Sequence, residues 1–333
     1  MHSETTTAEV TAVPSLILPA SVVGRMAKLV AGWALLVVIA GGVVTSTRSG
    51  DADPHWPTFG GSLFPSLEKM LQDLKLFLEH NHRLLAATLG FLTLGLAGVI
   101  TAGDRRRWVK WLGWLAAVTV AALAVLGGVR VKWPDVSWLP IVHVSVAYVF
   151  LGLCITLAVV TGKLWSSMAL HSQSGRALEI EDAVWLSRGS ISCALVIYAQ
   201  SVLGAVPRHL YVGAIAHVFG AFVVFTVVIL VAARVMSRHA KVASLLRPAV
   251  VLMGLVLTQF FLGFTTFVVR PNGPKAPGSS LFEIVASGHQ AVGALLIVAS
   301  VILMVRSLQH RRLAKCAPAA APSISPVSSE GVL

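Results

Sequence analysis

A carboxylate and an imidazole stand three residues apart where a long apolar run begins. Glu79 and His82, followed by Arg83, open a run that reaches about residue 100. On a helix this spacing places Glu79 and His82 on one face, one turn apart. The pattern predicts a reactive site in which Glu79 orients His82, moves protons or stabilises positive charge. An ordinary ion pair between Glu79 and Arg83 is the competing interpretation.

Three more histidines occupy similar positions in other apolar runs. Each of the four lies within about two turns of the same end of an even-numbered run. They are His82, His143, His217 and His289. One histidine per helix, facing another across a bundle, is typical of bis-imidazole haem iron, so the four predict two pairs of metal ligands. Interhelical hydrogen bonding is the simpler alternative for any one of them.

An arginine follows each odd-numbered run at the same end of the molecule. The four are Arg48, Arg130, Arg208 and Arg270. Guanidinium groups match carboxylates, and an upright haem has two propionates to hold, so these arginines are candidate cofactor-binding residues. They could equally be interfacial anchors whose cations reach the membrane surface.

The composition indicates that these residues lie on segments embedded in a membrane. The chain has 333 residues, of which 56% are hydrophobic and only 12% charged, and its mean hydropathy is +0.81. These values exclude an ordinary water-soluble domain. The formal net charge of +12 is interpreted as a topology signal and as contact with anionic lipid, and we expect no nucleic-acid partner.

Eight apolar runs are each long enough to cross a bilayer as a helix. They lie near residues 26–46, 77–101, 109–129, 139–162, 184–206, 210–233, 248–268 and 283–305. None alternates as a barrel strand would, so we predict an all-α integral membrane protein. The distribution of Lys and Arg in the connections predicts that both termini are cytoplasmic. Helical spacing after Pro65 predicts a short amphipathic helix before the second run.

The two halves of the chain repeat one another. Each carries arginine and histidine in the order Arg, His, Arg, His, and the fifth and seventh runs share Gln-x-x-Leu-Gly at 200–204 and 259–263. We therefore predict two pseudo-symmetric four-helix bundles. The predicted division is a cytoplasmic tail (1–24), an N-terminal bundle (25–165), a cytoplasmic linker (166–183), a C-terminal bundle (184–306) and a disordered cytoplasmic tail (307–333).

Several motifs resemble one known family. They are Gly-Gly-Val-Val-Thr at 41–45, Asp-Pro-His-Trp-Pro at 53–57 and Glu-x-x-His-Arg at 79–83, together with one histidine in each even-numbered run. This combination resembles haem A synthases over about residues 26–305. The resemblance implies oxidation of the C8 methyl of haem O to the formyl group of haem A, by successive hydroxylations, for cytochrome oxidase biogenesis.

The resemblance also implies roles for individual residues. The N-terminal bundle would receive haem O between His82 and His143, with Glu79 as the essential carboxylate, and the C-terminal bundle would hold haem b between His217 and His289. We accordingly expect a multi-pass protein of the bacterial cytoplasmic membrane. Candidate partners are the farnesyltransferase that makes haem O and cytochrome oxidase assembly factors.

The sequence departs from the family pattern in three respects. The outer loops lack the cysteine pair that family members often carry, Leu123 replaces the glutamine of the Gln-x-x-Leu-Gly pattern, and His55 stands where an aspartate is common before Trp-Pro.

A rival function is that of a dihaem b-type carrier that takes electrons from quinol. Glu79 distinguishes the two functions, because a pure carrier needs ligands but no carboxylate beside one of them. A haem transporter or chaperone is a third option that no residue favours.

Overall fold

The fold consists of long helices joined by short connections. The computed structural model describes residues 19–316 except 59–61, 63–65, 166, 168–177, 211–212 and 271–277. Its helices are α1 (Ala20–Ser46), α2 (Leu67–Gln72), α3 (Leu74–Gly103), α4 (Arg107–Lys132), α5 (Leu139–Val160), α6 (Ile180–His209), α7 (Ile215–Arg238), α8 (Ala243–Val268) and α9 (Ser280–Cys316). All except α2 are long and apolar enough to span a membrane. The predicted all-α, eight-span, multi-pass membrane fold is confirmed.

Length and surface chemistry explain why these segments form spanning helices. The shortest, α5, has 22 residues, which corresponds to about 33 Å and exceeds a hydrocarbon layer of about 30 Å. Large apolar side chains such as Phe91, Phe219 and Phe261 are mostly exposed. In a bilayer such faces meet lipid, while the helical backbone satisfies its own hydrogen bonds.

Helix contacts divide the molecule into two groups of four spans. In the first group α1 packs on α3, α3 on α4, α4 on α5 and α5 on α1; in the second, α6, α7, α8 and α9 form the same closed circuit. The groups join where α9 packs on α1 and α5 and where α5 packs on α6. This pattern fits the two predicted four-helix bundles, and the joining helices α1 and α5 correspond to α6 and α9 in a repeat.

Three of the predicted segment boundaries differ from the structure. α1 begins within the predicted N-terminal tail, α6 begins within the predicted linker, and α9 continues ten residues past the predicted end of the C-terminal bundle at 306. The extension of α9 is stabilised by polar contacts that hydropathy cannot reveal. Gln309 donates to the Trp165 carbonyl at 2.9 Å, and His310 lies 3.0 Å from the Ser244 hydroxyl. The remainder of the predicted disordered tail, 317–333, lies outside the described residues.

The predicted amphipathic helix is present but shorter than expected. α2 ends after one and a half turns, and Asp73 then begins α3 by accepting the backbone N–H groups of Lys75 (2.9 Å) and Leu76 (3.2 Å). Leu71 and Leu74 belong to different helices for this reason, and both are exposed. A side-chain cap therefore interrupts what the spacing presents as one continuous helix.

Candidate functional site

Each of the four candidate histidines packs against a glycine on the preceding spanning helix. A Cβ atom placed on the glycine would lie 2.8 Å (Gly204 to His217), 2.9 Å (Gly263 to His289), 3.1 Å (Gly41 to His82) or 3.6 Å (Gly127 to His143) from the ring carbon Cε1. Every one of these glycines lies five residues before the end of its helix, namely Ser46, Lys132, His209 and Val268. The rings thus sit about 7–8 Å below one end of the molecule, which we call the site end.

The histidines are arranged as two pairs, one in each bundle. The ring centroids of His217 and His289 are 6.2 Å apart, and their planes are at 87°. His82 and His143 lie within electrostatic range of one another. In all four rings Nδ1 is buried, and it has no hydrogen-bond partner among the described residues. Buried polar atoms are normally satisfied, so these four ring nitrogens are available to bind a ligand.

The paired rings fit haem iron. Two imidazole nitrogens that bind one metal at about 2 Å place the ring centroids about 6 Å apart, close to the spacing of His217 and His289. Among the described residues no cluster of three or more His, Cys, Asp or Glu side chains could hold a metal ion. The donors present are therefore suited to a macrocycle that supplies the other four ligands itself.

Glu79 is buried at the site end of α3, with both oxygens occupied. Oε1 accepts from Arg83, and Oε2 accepts the backbone N–H of Asp53 at 3.0 Å. Arg83 also donates to the carbonyls of His55 (2.8 Å) and Asp53 (3.0 Å). The ion pair expected as the competing interpretation is thus present, and it ties the loop after α1 onto α3 beside His82.

Asp53 reinforces the same loop. Its carboxylate accepts the backbone N–H of His55 at 2.8 Å and lies 2.6 Å from the Nδ1 atom of that ring. Burial raises the pKa of Asp53, but the hydrogen bonds from His55 and the charges of His55 and Arg83 outweigh burial and hold the pKa below its usual 3.8. The carboxylate is therefore ionised at neutral pH, and its stabilisation of the loop is lost only in strong acid. His55, which departs from the family pattern before Trp-Pro, is thus the partner of Asp53.

The structure brings two of the four candidate arginines to the histidine pairs. Arg130 donates to the Gly50 carbonyl (3.2 Å) and Asp51 (3.3 Å) and lies within electrostatic range of His82 and His143. Arg208 donates to the Ser46 hydroxyl at 3.0 Å and lies within electrostatic range of His289. Each histidine pair therefore has a guanidinium group close by.

The other two arginines lie two residues beyond the ends of α1 and α8. Arg48 is exposed and adopts a left-handed backbone with φ of 53°. Arg270 is exposed and lies over the ring of Phe267, with 4.3 Å between its Cζ and the ring centroid. The regular spacing of four arginines in the sequence thus corresponds to two different environments.

Comparison with known proteins identifies the family of this chain. A family model described as "COX15-CtaA: Cytochrome oxidase assembly protein" matches residues 24–220, which is more than half of the chain. The chain belongs to this family. The COX15-CtaA match includes His82, His143 and His217 and ends before His289.

Two curated members with the printed name "Heme A synthase" are similar to part of the chain. The one from Exiguobacterium sp. is 29% identical over 181 residues, covering 53% of this chain and 54% of the relative. The one from Lysinibacillus sphaericus is 28% identical over 132 residues, covering 38% and 40%. The chain thus matches about half or less of the length of these relatives. The family resemblance predicted from the motifs is confirmed.

Glutamines support the histidines of the C-terminal bundle in this COX15-CtaA protein. The Gln200 amide donates to the His217 carbonyl at 2.7 Å, and the Gln259 amide nitrogen lies 3.3 Å from Nε2 of His289. Both glutamines lie one turn before the glycine that faces the same histidine. The Gln-x-x-Leu-Gly motif signals this position, but the sequence pointed only to its glycine.

A third glutamine links the two bundles. Gln290, next to His289, packs on Gly42 of α1, where an added Cβ would lie 3.0 Å from its amide carbon. Its amide also hydrogen-bonds the buried Tyr148 of α5. Since Gly41 faces His82, two consecutive glycines of α1 contact the histidine of one bundle and the neighbour of a histidine in the other.

Alanine substitutions at the four glycines should disturb the facing histidine more strongly where the added Cβ would lie closer to its ring. Gly204→Ala would place Cβ 2.8 Å from His217 and should displace that ring, whereas Gly127→Ala, at 3.6 Å from His143, makes only an ordinary contact. We expect Gly204→Ala to reduce haem bound per purified protein severalfold and Gly127→Ala to leave it near wild type, as measured by a pyridine haemochrome assay. Equal haem content in the two variants would contradict the proposed packing.

Proposed function

We propose that this protein is a haem A synthase, which oxidises the C8 methyl of haem O to a formyl group by successive hydroxylations and so supplies haem A for cytochrome oxidase. The observation that carries the proposal is the histidine–glycine contact repeated at one level in both bundles of a COX15-CtaA chain. Such paired imidazoles suit iron porphyrins.

Differences between the bundles support the assignment of cofactor and substrate. The contacts of His217 and His289 with their glycines are the tightest of the four, and Gln200 and Gln259 hold these histidines as well. Such fixed geometry suits a permanently bound haem b. The N-terminal contacts are looser, as a group that enters and leaves requires. We therefore assign haem O to His82 and His143 as substrate ligands.

The candidate reactive groups collect in the N-terminal bundle. Glu79, Arg83 and Asp53 form a buried polar network over the site end of α3, and the ring of Trp56 packs on Gly128, next to the glycine that faces His143. The described part of the loop after α1, residues 47–58, would shield the substrate from water. Arg130, beside this pair, and Arg208, beside His289, are placed to bind propionates. Arg48 and Arg270 are further candidates for propionate binding at the site end.

The chemistry can be divided between cofactor and chain. A bound haem b supplies one-electron redox chemistry. The chain's own part would be to orient the substrate through His82 and His143 and to manage protons, because each hydroxylation replaces a C–H bond of the methyl carbon by a C–O bond, with the two electrons that the carbon loses passing to an external electron acceptor. Glu79 is the buried carboxylate available to hold or accept such a proton. The alcohol and the hydrated aldehyde are the successive oxidation products, and loss of water from the latter gives the formyl group.

We also propose that the site end faces away from the cytoplasm of a bacterial cell. Basic residues concentrate at the opposite end, including Arg105, Arg106 and Arg107 between α3 and α4 and Arg311 and Arg312 near the end of α9. The positive-inside rule places that end, and both termini, in the cytoplasm. Haem O would come from a farnesyltransferase, and co-purification with such an enzyme or with cytochrome oxidase assembly factors would test these partners.

Conversion of haem O in cells is the direct test of function. The full chain would be expressed in a host that makes haem O but lacks haem A, and extracted haems would be separated by liquid chromatography and identified by mass spectrometry. We expect haem A in these cells and its absence in cells with the empty vector. Two equivalent b-type haems in the purified protein, with haem O left unconverted, would instead establish the electron-carrier alternative.

A further inference from the structure

A groove lies on the outside of α4 at the end opposite the site end. Arg107, Lys110, Trp111 and Trp114 line it, and its volume is about 340 Å³. Their spacing of three, four and seven residues places them on one face of the helix. Trp111 is 76% exposed. The groove thus joins two cations and two indole rings on a face that the bundle does not cover.

The two cations of the groove make no direct ion pair within the described part of the chain, and Lys110 is only within electrostatic range of Asp104. Neither Arg107 nor Lys110 has a hydrogen bond or ion pair to a side chain in the described ranges. The acid of this segment, Asp104, binds Arg106 through both carboxylate oxygens, at 3.0 and 2.6 Å. Arg106 in turn donates to the Val160 carbonyl at 3.0 Å and so faces the bundle interior. Its neighbour Arg107 is free to bind an external anion.

The face continues from the groove as an apolar strip along α4. Leu115, Val118 and Val125 are all largely exposed and follow Trp111 at helical spacing. The cationic groove matches the headgroup of an anionic phospholipid, and the apolar strip matches its acyl chains. Tryptophan at this depth favours the boundary between headgroups and acyl chains.

We propose that this groove binds one anionic phospholipid, with its phosphate on Arg107 and Lys110 and an acyl chain along Trp111, Leu115 and Val118. Charge complementarity selects an anionic over a zwitterionic headgroup, because the one nearby acid, Asp104, is bound directly by Arg106, and Arg107 and Lys110 add two positive charges at the groove. Trp114 is fixed at the groove wall, since its indole N–H donates to the Thr101 hydroxyl at 3.1 Å. Such a lipid would stay with the protein through purification.

Native mass spectrometry of the full chain in detergent would test the site. The protein would be titrated with phosphatidylglycerol and, separately, phosphatidylcholine. The test variant is Arg107→Gln with Lys110→Gln. The charge-matched control is Arg105→Gln with Lys163→Gln, which removes two exposed cations that do not line the groove. We expect the test variant to lose affinity for the first phosphatidylglycerol by about tenfold or more, with phosphatidylcholine binding unchanged in every protein.

Four further outcomes decide the proposal. Restoration of lipid binding by Arg107→Lys with Lys110→Arg would support a charge-dependent site, and resistance of the bound lipid to millimolar inorganic phosphate would show that the acyl chain contributes. Equal affinity for phosphatidylglycerol in the test variant and wild type would overturn the proposal. So would an equal loss in the control variant, which would indicate general electrostatic attraction.

Discussion

Replacing His217 or His289 by alanine is expected to remove haem b from the purified protein. The two ring centroids are 6.2 Å apart, and in the proposed function each ring supplies one ligand, so either substitution would leave the iron with a single protein ligand. Loss of an outer-shell partner alone typically costs about 10- to 100-fold in metal affinity, and loss of a ligand should cost more. The b-type absorbance of the reduced protein should fall to near zero.

A matched control separates ligand loss from general destabilisation. His239 is buried and follows α7 at the end opposite His217, near Asp182. His239→Ala removes a buried histidine close to the same helix, and it should leave the b-type absorbance intact even if it lowers thermal stability. His82→Ala and His143→Ala should also retain the b-type spectrum while haem O conversion stops. Loss of haem b in those two variants would show that the division between cofactor and substrate bundles is wrong.

Glu79→Gln is expected to leave haem b bound and to reduce haem A formation by about 100-fold or more, the range for loss of a general acid or base. The carboxylate accepts from Arg83 on one oxygen and from the Asp53 backbone N–H on the other. An amide offers only one acceptor oxygen, so one donor would face an NH2 group. The amide also cannot hold an additional proton. The ratio of haem A to haem O in extracts measures the effect.

Arg83→Gln distinguishes a chemical role of Glu79 from a structural one. It removes the partner of the carboxylate and two hydrogen bonds to the loop after α1, but keeps the carboxylate itself. If Glu79 takes part in proton transfer, Arg83→Gln should retain measurable conversion where Glu79→Gln does not. Equal inactivity of the two variants would show that Glu79 acts by anchoring the loop, and normal conversion by Glu79→Gln would refute any catalytic role.

Local spacing was enough to predict much of the molecule. The eight spans follow from apolar length, the i to i+4 pair of Glu79 and Arg83 follows from helical geometry, and the histidine in each even-numbered span is visible in the sequence. The interruption at Asp73 was missed because a capping side chain competes with a continuous apolar spacing. Similarly, the polar end of α9 is helical through contacts with distant residues.

Contacts between distant segments could not be predicted from spacing. The Asp53 N–H reaches Glu79 across 26 residues, and Arg208 reaches Ser46 across 162. The sequence grouped four arginines by their position after odd-numbered spans, yet only tertiary packing separates Arg130 and Arg208 from Arg270. The supporting roles of Gln200 and Gln259 depend in the same way on which helix lies opposite.

The consecutive glycines of α1 restrict which helices can be exchanged between two homologues. Gly41 touches His82, while Gly42 touches Gln290, which adjoins His289 and bonds Tyr148. The boundary between the two histidine pairs is therefore shared by one stretch of α1 and one stretch of α9. Although the halves resemble a duplicated module, a chimera of two homologues would have to inherit α1 and α9 from the same parent to preserve both histidine pairs.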